Sequence, residues 1–201
     1  MNKFFAKYRL IISRIVGIVL ALFMFFSSPV LQYSSWYSVM FMFGLLLILV
    51  CILGRTFASL FMSNKRGRSI VTEGVYSTTR NPLYFFSFLG VIGVGLIYSS
   101  LLVLAILIVL FGIYYRQVIS YEEEFLSKKF GTEYTDYLNS GIPRFFPNRK
   151  LFKSDEQVEV NYKVTLKTMI DASLFFVFAF IIVMMLALQN AGYIPTFLYI
   201  L

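Results

Sequence analysis

Three long stretches of this 201-residue chain carry no Lys, Arg, Asp or Glu: residues 15–54, 81–115 and 172–201. They run for 40, 35 and 30 residues. A helix crosses a bilayer with about 20 consecutive apolar residues. The first two stretches therefore predict two helices each, and the third predicts one helix and a short apolar tail with Pro195. The expected helices cover roughly 10–28, roughly 37–54, Pro82 to the Tyr98-Ser99-Ser100 turn, that turn to about Gln117, and roughly 169–189.

Between these helices the polar positions predict smaller features. Residues 55–79 read as a surface loop. From Gln117 to Phe130 the fourth helix continues as a surface helix stopped by Gly131. Thr132 is placed to cap a short helix through Leu138, ended by Gly141. Pro143 and Pro147 mark an irregular segment, and residues 149–167 read as a linker of mixed charge. Gly90, Gly93 and Gly95 in the third helix allow close helix contact, the expected reading, or a ligand passage. The predicted fold is an all-α polytopic membrane protein with five transmembrane helices, forming a single membrane domain over 1–201. Its core covers 40–148, followed by the 149–167 linker and an additional C-terminal transmembrane helix over 168–190.

Charge sets the orientation. All eighteen basic residues fall in three regions: Lys3 to Arg14, Arg55 to Arg80, and Arg116 to Lys167. The connections at 27–37 and 98–100 and the tail after Leu188 have no charge. The positive-inside rule then predicts an N-in, C-out protein whose three basic regions are cytoplasmic. The net charge of +8 is explained by this topology and by attraction to anionic lipids, so no nucleic-acid partner is expected. The first thirty residues have the layout of a secretory leader but no small-x-small cleavage site, and a retained helix is expected.

Composition narrows the chemistry. Mean hydropathy is +0.77 and 59% of residues are hydrophobic, outside the range of ordinary soluble domains. The chain has no histidine and one cysteine, Cys51, so zinc and most transition-metal sites lack their usual ligands. No metal site is expected. A histidine base and an intrachain disulfide are excluded. Glu, Asp, Arg, Lys, Tyr, the backbone or a bound cofactor remain.

The dense polar clusters are Gly74-Val75-Tyr76 with Arg80-Asn81-Pro82-Leu83-Tyr84, and Glu122-Glu123-Glu124 with Phe130-Gly131. An uncharged hairpin separates them, so folding is expected to bring them to one membrane face. Each has a simple structural reading. Asn and Pro are favoured at the start of a helix, here the third. Three consecutive glutamates form a solvated helix face, and successive positions point about 100° apart, so at most one or two can share a pocket. Arg116 lies two turns before Glu123, where both can share a face.

The ordered set formed by Ser69 to Tyr76, Arg80 to Tyr84, the Glu run, Phe130-Gly131-Thr132-Glu133-Tyr134, Tyr137 and Ile142-Pro143-Arg144 is more specific than its parts. Over about residues 40–148 it resembles the isoprenylcysteine carboxyl methyltransferases and the related phospholipid methyltransferases. The resemblance implies an integral membrane enzyme that uses S-adenosylmethionine at the cytoplasmic helix ends, beside a lipid-accessible tunnel. It implies a cofactor pocket lined by Arg68, Ser69, Ile70, Val71, Tyr76, Arg80, Asn81, Pro82, Leu83 and Tyr84, with one of Glu122, Glu123 and Glu124 on the cofactor's polar end. Arg116 corresponds to a substrate-facing arginine, and Arg116 and Glu123 are the implied catalytic pair. The family's Arg-His-Pro is here Arg-Asn-Pro, and the last helix lies outside the shared core. The expected partners are a lipidic, isoprenoid or lipidated acceptor and membrane lipids. Two other functions fit the same residues: a non-catalytic scaffold or lipid-binding protein of the same fold, and an NADPH-dependent enzyme similar to the sterol reductases.

Overall fold

The computed structural model describes residue 15 and residues 17–65, 67–155 and 157–201. The predicted start of the first helix, residues 10–14 and 16, and the basic residues Lys3, Lys7, Arg9 and Arg14 lie outside the described residues. The elements are α1 (Gly17–Phe26), β1 (Ser27–Pro29), α2 (Tyr37–Met62), α3 (Pro82–Tyr98), α4 (Leu101–Phe130), α5 (Thr132–Asn139), α6 (Tyr162–Asn190) and β2 (Leu198–Ile200). The protein is mostly helical, and three of its helices, α2, α4 and α6, are long and apolar enough to cross a membrane; α1 and α3 are shorter apolar helices.

The packing is that of a molecule whose solvent is apolar. Within its most apolar window α2 is only 17% buried, and it turns Met42, Phe43, Leu46, Leu49 and Leu53 outward. The inward faces depend on small residues. A Cβ on Gly93 would lie 2.7 Å from the Gly44 carbonyl oxygen, and one on Gly44 would lie 2.7 Å from that of Gly93, so α2 and α3 touch backbone to backbone. A Cβ on Gly90 would meet Cys51 Sγ at 2.7 Å. The predicted close packing through α3 is therefore present, with α6 covering both α2 and α3.

Several boundaries differ from those read in the sequence. Helix α2 continues to Met62 rather than ending near 54, which places Arg55 inside a helix instead of in a loop. Ala58 and Phe61 explain the extension, because they are buried against Val71 and Tyr76. Helix α6 begins at Tyr162, within the expected linker, where Asn161 accepts a hydrogen bond from Lys163 N as its cap. Helix α4 does run unbroken to Gly131, and α5 follows without a Thr132 side-chain cap.

The apolar tail is not a loose end. Strand β2 pairs in parallel with β1. Leu201 O accepts hydrogen bonds from Leu102 N at 2.9 Å and from Ser100 Oγ. Tyr98 OH is hydrogen-bonded with Ser27 Oγ at 2.8 Å, and Gln189 Nε2 donates to Phe25 O at 2.8 Å. Neutral hydroxyls, amides and backbone thus seal the uncharged end. The charged loops gather at the other.

Candidate functional site

At the charged end, the chain leaving α2 makes a tight return before α3. Gly74 has φ +60°, and a Cβ there would lie 2.4 Å from the Phe61 ring, so both backbone and space require glycine. Its N–H donates to Lys153 O at 2.6 Å. Beside it, Lys65 pairs with Glu73 and holds that carboxyl below the usual carboxylate range.

The next residues form a buried strip that docks the irregular segment after α5. Arg80 N donates to Pro143 O at 2.9 Å, and Asn148 N donates to Thr78 O at 2.9 Å. Thr79 Oγ1 donates to Phe145 O at 2.9 Å, and Asn81 Nδ2 donates to Arg144 O at 2.8 Å. The Asn81 side chain does not cap α3, although Pro82 does occupy the first turn of that helix. The amide fastens the 143–148 segment instead. Tyr137 adds a fifth tie from α5, its hydroxyl donating to Tyr76 O at 2.8 Å.

This docking brings the two distant motifs together. Arg144 Nη2 donates to Glu123 Oε2 at 2.7 Å and to Ser120 Oγ at 2.8 Å, while its Nε reaches Glu123 Oε1 at 3.2 Å. Arg80 approaches Glu123 Oε1 from the other motif at 3.7 Å. Tyr84 OH donates to Glu122 Oε2 at 2.8 Å, and its ring lies 5.0 Å from that of Tyr115. Glu124 turns away to Lys128 at 2.6 Å, on the exposed side of α4. Two of the three glutamates therefore share the site, as the helical spacing requires. Burial pushes the nearby Tyr134 phenol up to about 12, with the Glu123 charge adding to the effect.

The same strip and the docked segment also wall a cavity of about 580 Å³, lined by Phe85, Phe86, Phe146 and Phe152, with Thr78, Thr79 and Arg149 at its polar positions. That volume falls within the range of small-molecule sites, about 300–1,000 Å³. Both threonine hydroxyls already donate within the chain, Thr78 to Val75 O and Thr79 to Phe145 O. Arg149 is exposed.

The residues singled out in the sequence are thus distributed unevenly. Arg80, Tyr84, Glu122 and Glu123 meet directly, and Asn81 organises them. Pro82 lines the cavity. Val71, Tyr76 and Leu83 pack into a small apolar cluster with Ala58 and Phe61, Ile70 is partly buried, and Arg68 and Ser69 are exposed in the loop. Arg116 is exposed on α4, and no hydrogen bond or ion pair joins its side chain to Glu123 among the described residues. Arg144 takes that place. Its proximity to the cluster follows from the docking of residues 143–148, which no local periodicity reveals. Arg149 and Arg55 were also without an assigned role. For Arg55 the signal was the apolar pattern of residues 57–62, which keeps the helix going past it.

The phospholipid methyltransferase family profile matches residues 39–133. A cobalt-zinc-cadmium resistance protein, CzcN, from Cupriavidus metallidurans is 32% identical over 157 residues, covering 77% of this chain and 71% of that protein. The chain belongs to the phospholipid methyltransferase family. A nickel-cobalt-cadmium resistance protein, NccN, from Alcaligenes xylosoxydans xylosoxydans is 28% identical over 202 residues, covering 98% of this chain and 92% of that relative. No solved structure matches the chain.

Proposed function

We propose that this protein transfers a methyl group from S-adenosylmethionine to a lipidic, membrane-partitioned acceptor, at the cytoplasmic end of its helices. The observation that carries the reading is the convergence of Arg80, Arg144 and Glu123 with Tyr84 and Glu122, on the same strip of chain that gives Thr78, Thr79 and Pro82 to the aromatic cavity. In the accompanying topology, α1 and α3 also cross the membrane. Five spans then put the charged loops inside and the β1–β2 pair outside, consistent with the charge asymmetry.

The residues present fit this cofactor. Phe85, Phe86, Phe146 and Phe152 offer ring faces to an adenine, and Arg149 offers a carboxylate partner. Arg80 Nε is buried without a hydrogen-bond partner among the described residues, a donor open to a further acceptor. Glu122 and Glu123 suit ribose hydroxyls or an ammonium group. When bound, S-adenosylmethionine supplies an electrophilic methyl whose carbon–sulfur bond breaks as the acceptor attacks, the bonding electrons staying on sulfur. The chain's contribution to such a displacement is alignment of the two reactants and exclusion of water. An amine acceptor must first lose a proton, and Glu122 or Glu123 is placed to take it.

The metal resistance in the relatives' names, to nickel, cobalt, zinc and cadmium, is then an effect of the methylated product. Among the described residues no group of three or more His, Cys, Asp or Glu is placed to hold a metal ion. A modified membrane component is the reading that joins the family to those names.

The direct test is transfer of labelled methyl from S-adenosylmethionine to membrane lipids by the purified protein and by Glu122→Gln. Labelled lipid formed by the wild type and lost in the variant supports the reading, and binding without transfer to any lipid, thiol or amine acceptor contradicts it. Cobalt or cadmium tolerance conferred equally by an inactive variant contradicts the link to resistance.

A further inference from the structure

Arg55 takes no part in the cluster described above, yet its side chain is directed into the helix bundle. It lies seven residues before the end of α2, and its Nη1 donates to Ser87 Oγ on α3. The Nε of Arg55 is buried and has no hydrogen-bond partner among the described residues. The ion pairs of the described residues use Lys65, Arg80, Lys128 and Arg144, so Arg55 has no carboxylate. Ser87 does not compensate, because its own hydroxyl hydrogen goes to Leu83 O at 2.8 Å and it presents only a neutral lone pair.

A guanidinium stays charged at every accessible pH and has five N–H donors in a planar fork. Holding it among helices without an anion is unfavourable, and ionisable groups directed into a membrane bundle generally mark a ligand path. The position relative to the cavity sharpens this. A Cβ on Gly54 would lie 2.2 Å from the Phe86 ring, so α2 runs directly against the residue that walls the cavity. Arg55 follows Gly54, and Ser87 follows Phe86. The unneutralised fork thus adjoins the α2–α3 contact that backs the cavity wall, while neither Arg55 nor Ser87 lines the cavity itself.

We propose that Arg55 is a positioning residue that anchors an anionic group, carboxylate or phosphate, of the acceptor inside the bundle, at the α2–α3 contact behind the cavity wall. The purpose of this anchor rests on the methyl-transfer reading; the preference for an anion does not. The fork matches an oxyanion with two oxygens, and the apolar body of such a molecule has the helices' hydrocarbon faces beside it. A neutral molecule of the same shape leaves the guanidinium unpaired and is bound less well.

The test uses the full chain in neutral maltoside detergent, titrated with dodecyl phosphate and with dodecanoate. Dodecanol and dodecyltrimethylammonium serve as neutral and cationic controls. Thermal unfolding reports binding, since a ligand of the folded state raises Tm. The wild type is expected to be stabilised by one or both anions and not by the controls, and the two anions tell a phosphate head from a carboxylate. Arg55→Gln is expected to weaken the response at least about tenfold. Arg55→Lys, which keeps the charge and loses the fork, is expected to fall between, and it carries the comparison if the glutamine variant does not fold. S-adenosylmethionine affinity is expected to be the same in all three. A wild-type response to neither anion greater than to dodecanol overturns the proposal whatever the variants do, and so does an undiminished anion response in Arg55→Gln. A wild type that binds the anions but not S-adenosylmethionine keeps the anchor and removes the methyl-transfer reading.

Discussion

Arg144 grips Glu123 with two nitrogens, Nη2 on Oε2 at 2.7 Å and Nε on Oε1 at 3.2 Å, while its own carbonyl is held by the Asn81 amide at 2.8 Å. One residue thereby links the strip before α3 to the glutamates of α4. Arg80 at 3.7 Å from Glu123 and Tyr84 at 2.8 Å from Glu122 join the same elements from the α3 side.

Glu123→Gln removes the anion shared by Arg144 and Arg80. Two partly buried guanidinium groups then face each other with a neutral amide between them. The expected loss is about 1–3 kcal/mol of stability, with a larger effect than Glu124→Gln, whose partner Lys128 is exposed. Thermal unfolding of the two variants in the same detergent decides this; equal Tm values contradict the central place given to Glu123.

Asn81→Ala leaves the Arg144 carbonyl without its donor and loosens residues 143–148. The expected cost is about 1–2 kcal/mol, seen as faster amide exchange in that segment. Asn81→His keeps a side-chain N–H donor and is expected to behave like the wild type. An Asn81→Ala protein with unchanged exchange would mean that the amide is not a fastener.

Gly93→Ala drives a methyl toward the Gly44 carbonyl, 2.7 Å away on the facing helix. Backbone cannot step aside as a side chain does, so α2 and α3 must separate, at about 1–3 kcal/mol. Gly112→Ala, on α4 with open space around it, is the control and is expected to be neutral or slightly stabilising. Similar Tm changes in both contradict the close crossing.

Tyr134 gives a pH dependence of known sign. Its phenol keeps its proton up to about 12 in the folded protein, whereas an exposed phenol titrates near 10. The folded state binds the extra proton in that window, so its contribution to stability is intact below about 10 and is lost as pH rises toward 12. Tyr137, also pushed up by burial, contributes in the same direction. Tyr134→Phe is expected to flatten part of the alkaline fall in Tm. An unchanged pH profile would show that the phenol is not buried as described.

Much of this architecture was legible because lipid imposes a coarse rule: charge-free runs long enough to span must be helical. That rule located the helices, and the wide angular spread of Glu122, Glu123 and Glu124 foretold that only some of them share the site. The errors share a physical origin. The rule marks where charge begins, not where hydrogen bonding stops, so it ended α2 at Arg55 and began α6 too late. The β1–β2 pair was invisible because three-residue strands in an apolar tail have no period to detect. Asn81 read as a helix cap because its true partner, the Arg144 carbonyl, is 63 residues away. Arg116 stood out as a match for Glu123 because it shares a helix with it, while Arg144 reaches the same carboxylate only through tertiary docking.

The most direct measurement is equilibrium binding of S-adenosylmethionine to the detergent-purified protein, with NADPH as control, repeated on a Glu122→Gln, Glu123→Gln double variant. Binding near micromolar by the wild type (about −8 kcal/mol), weakened at least about tenfold in the double variant, is the result expected for a cofactor held beside these glutamates. Absence of binding, tighter binding of NADPH, or equal affinity in wild type and variant would contradict it.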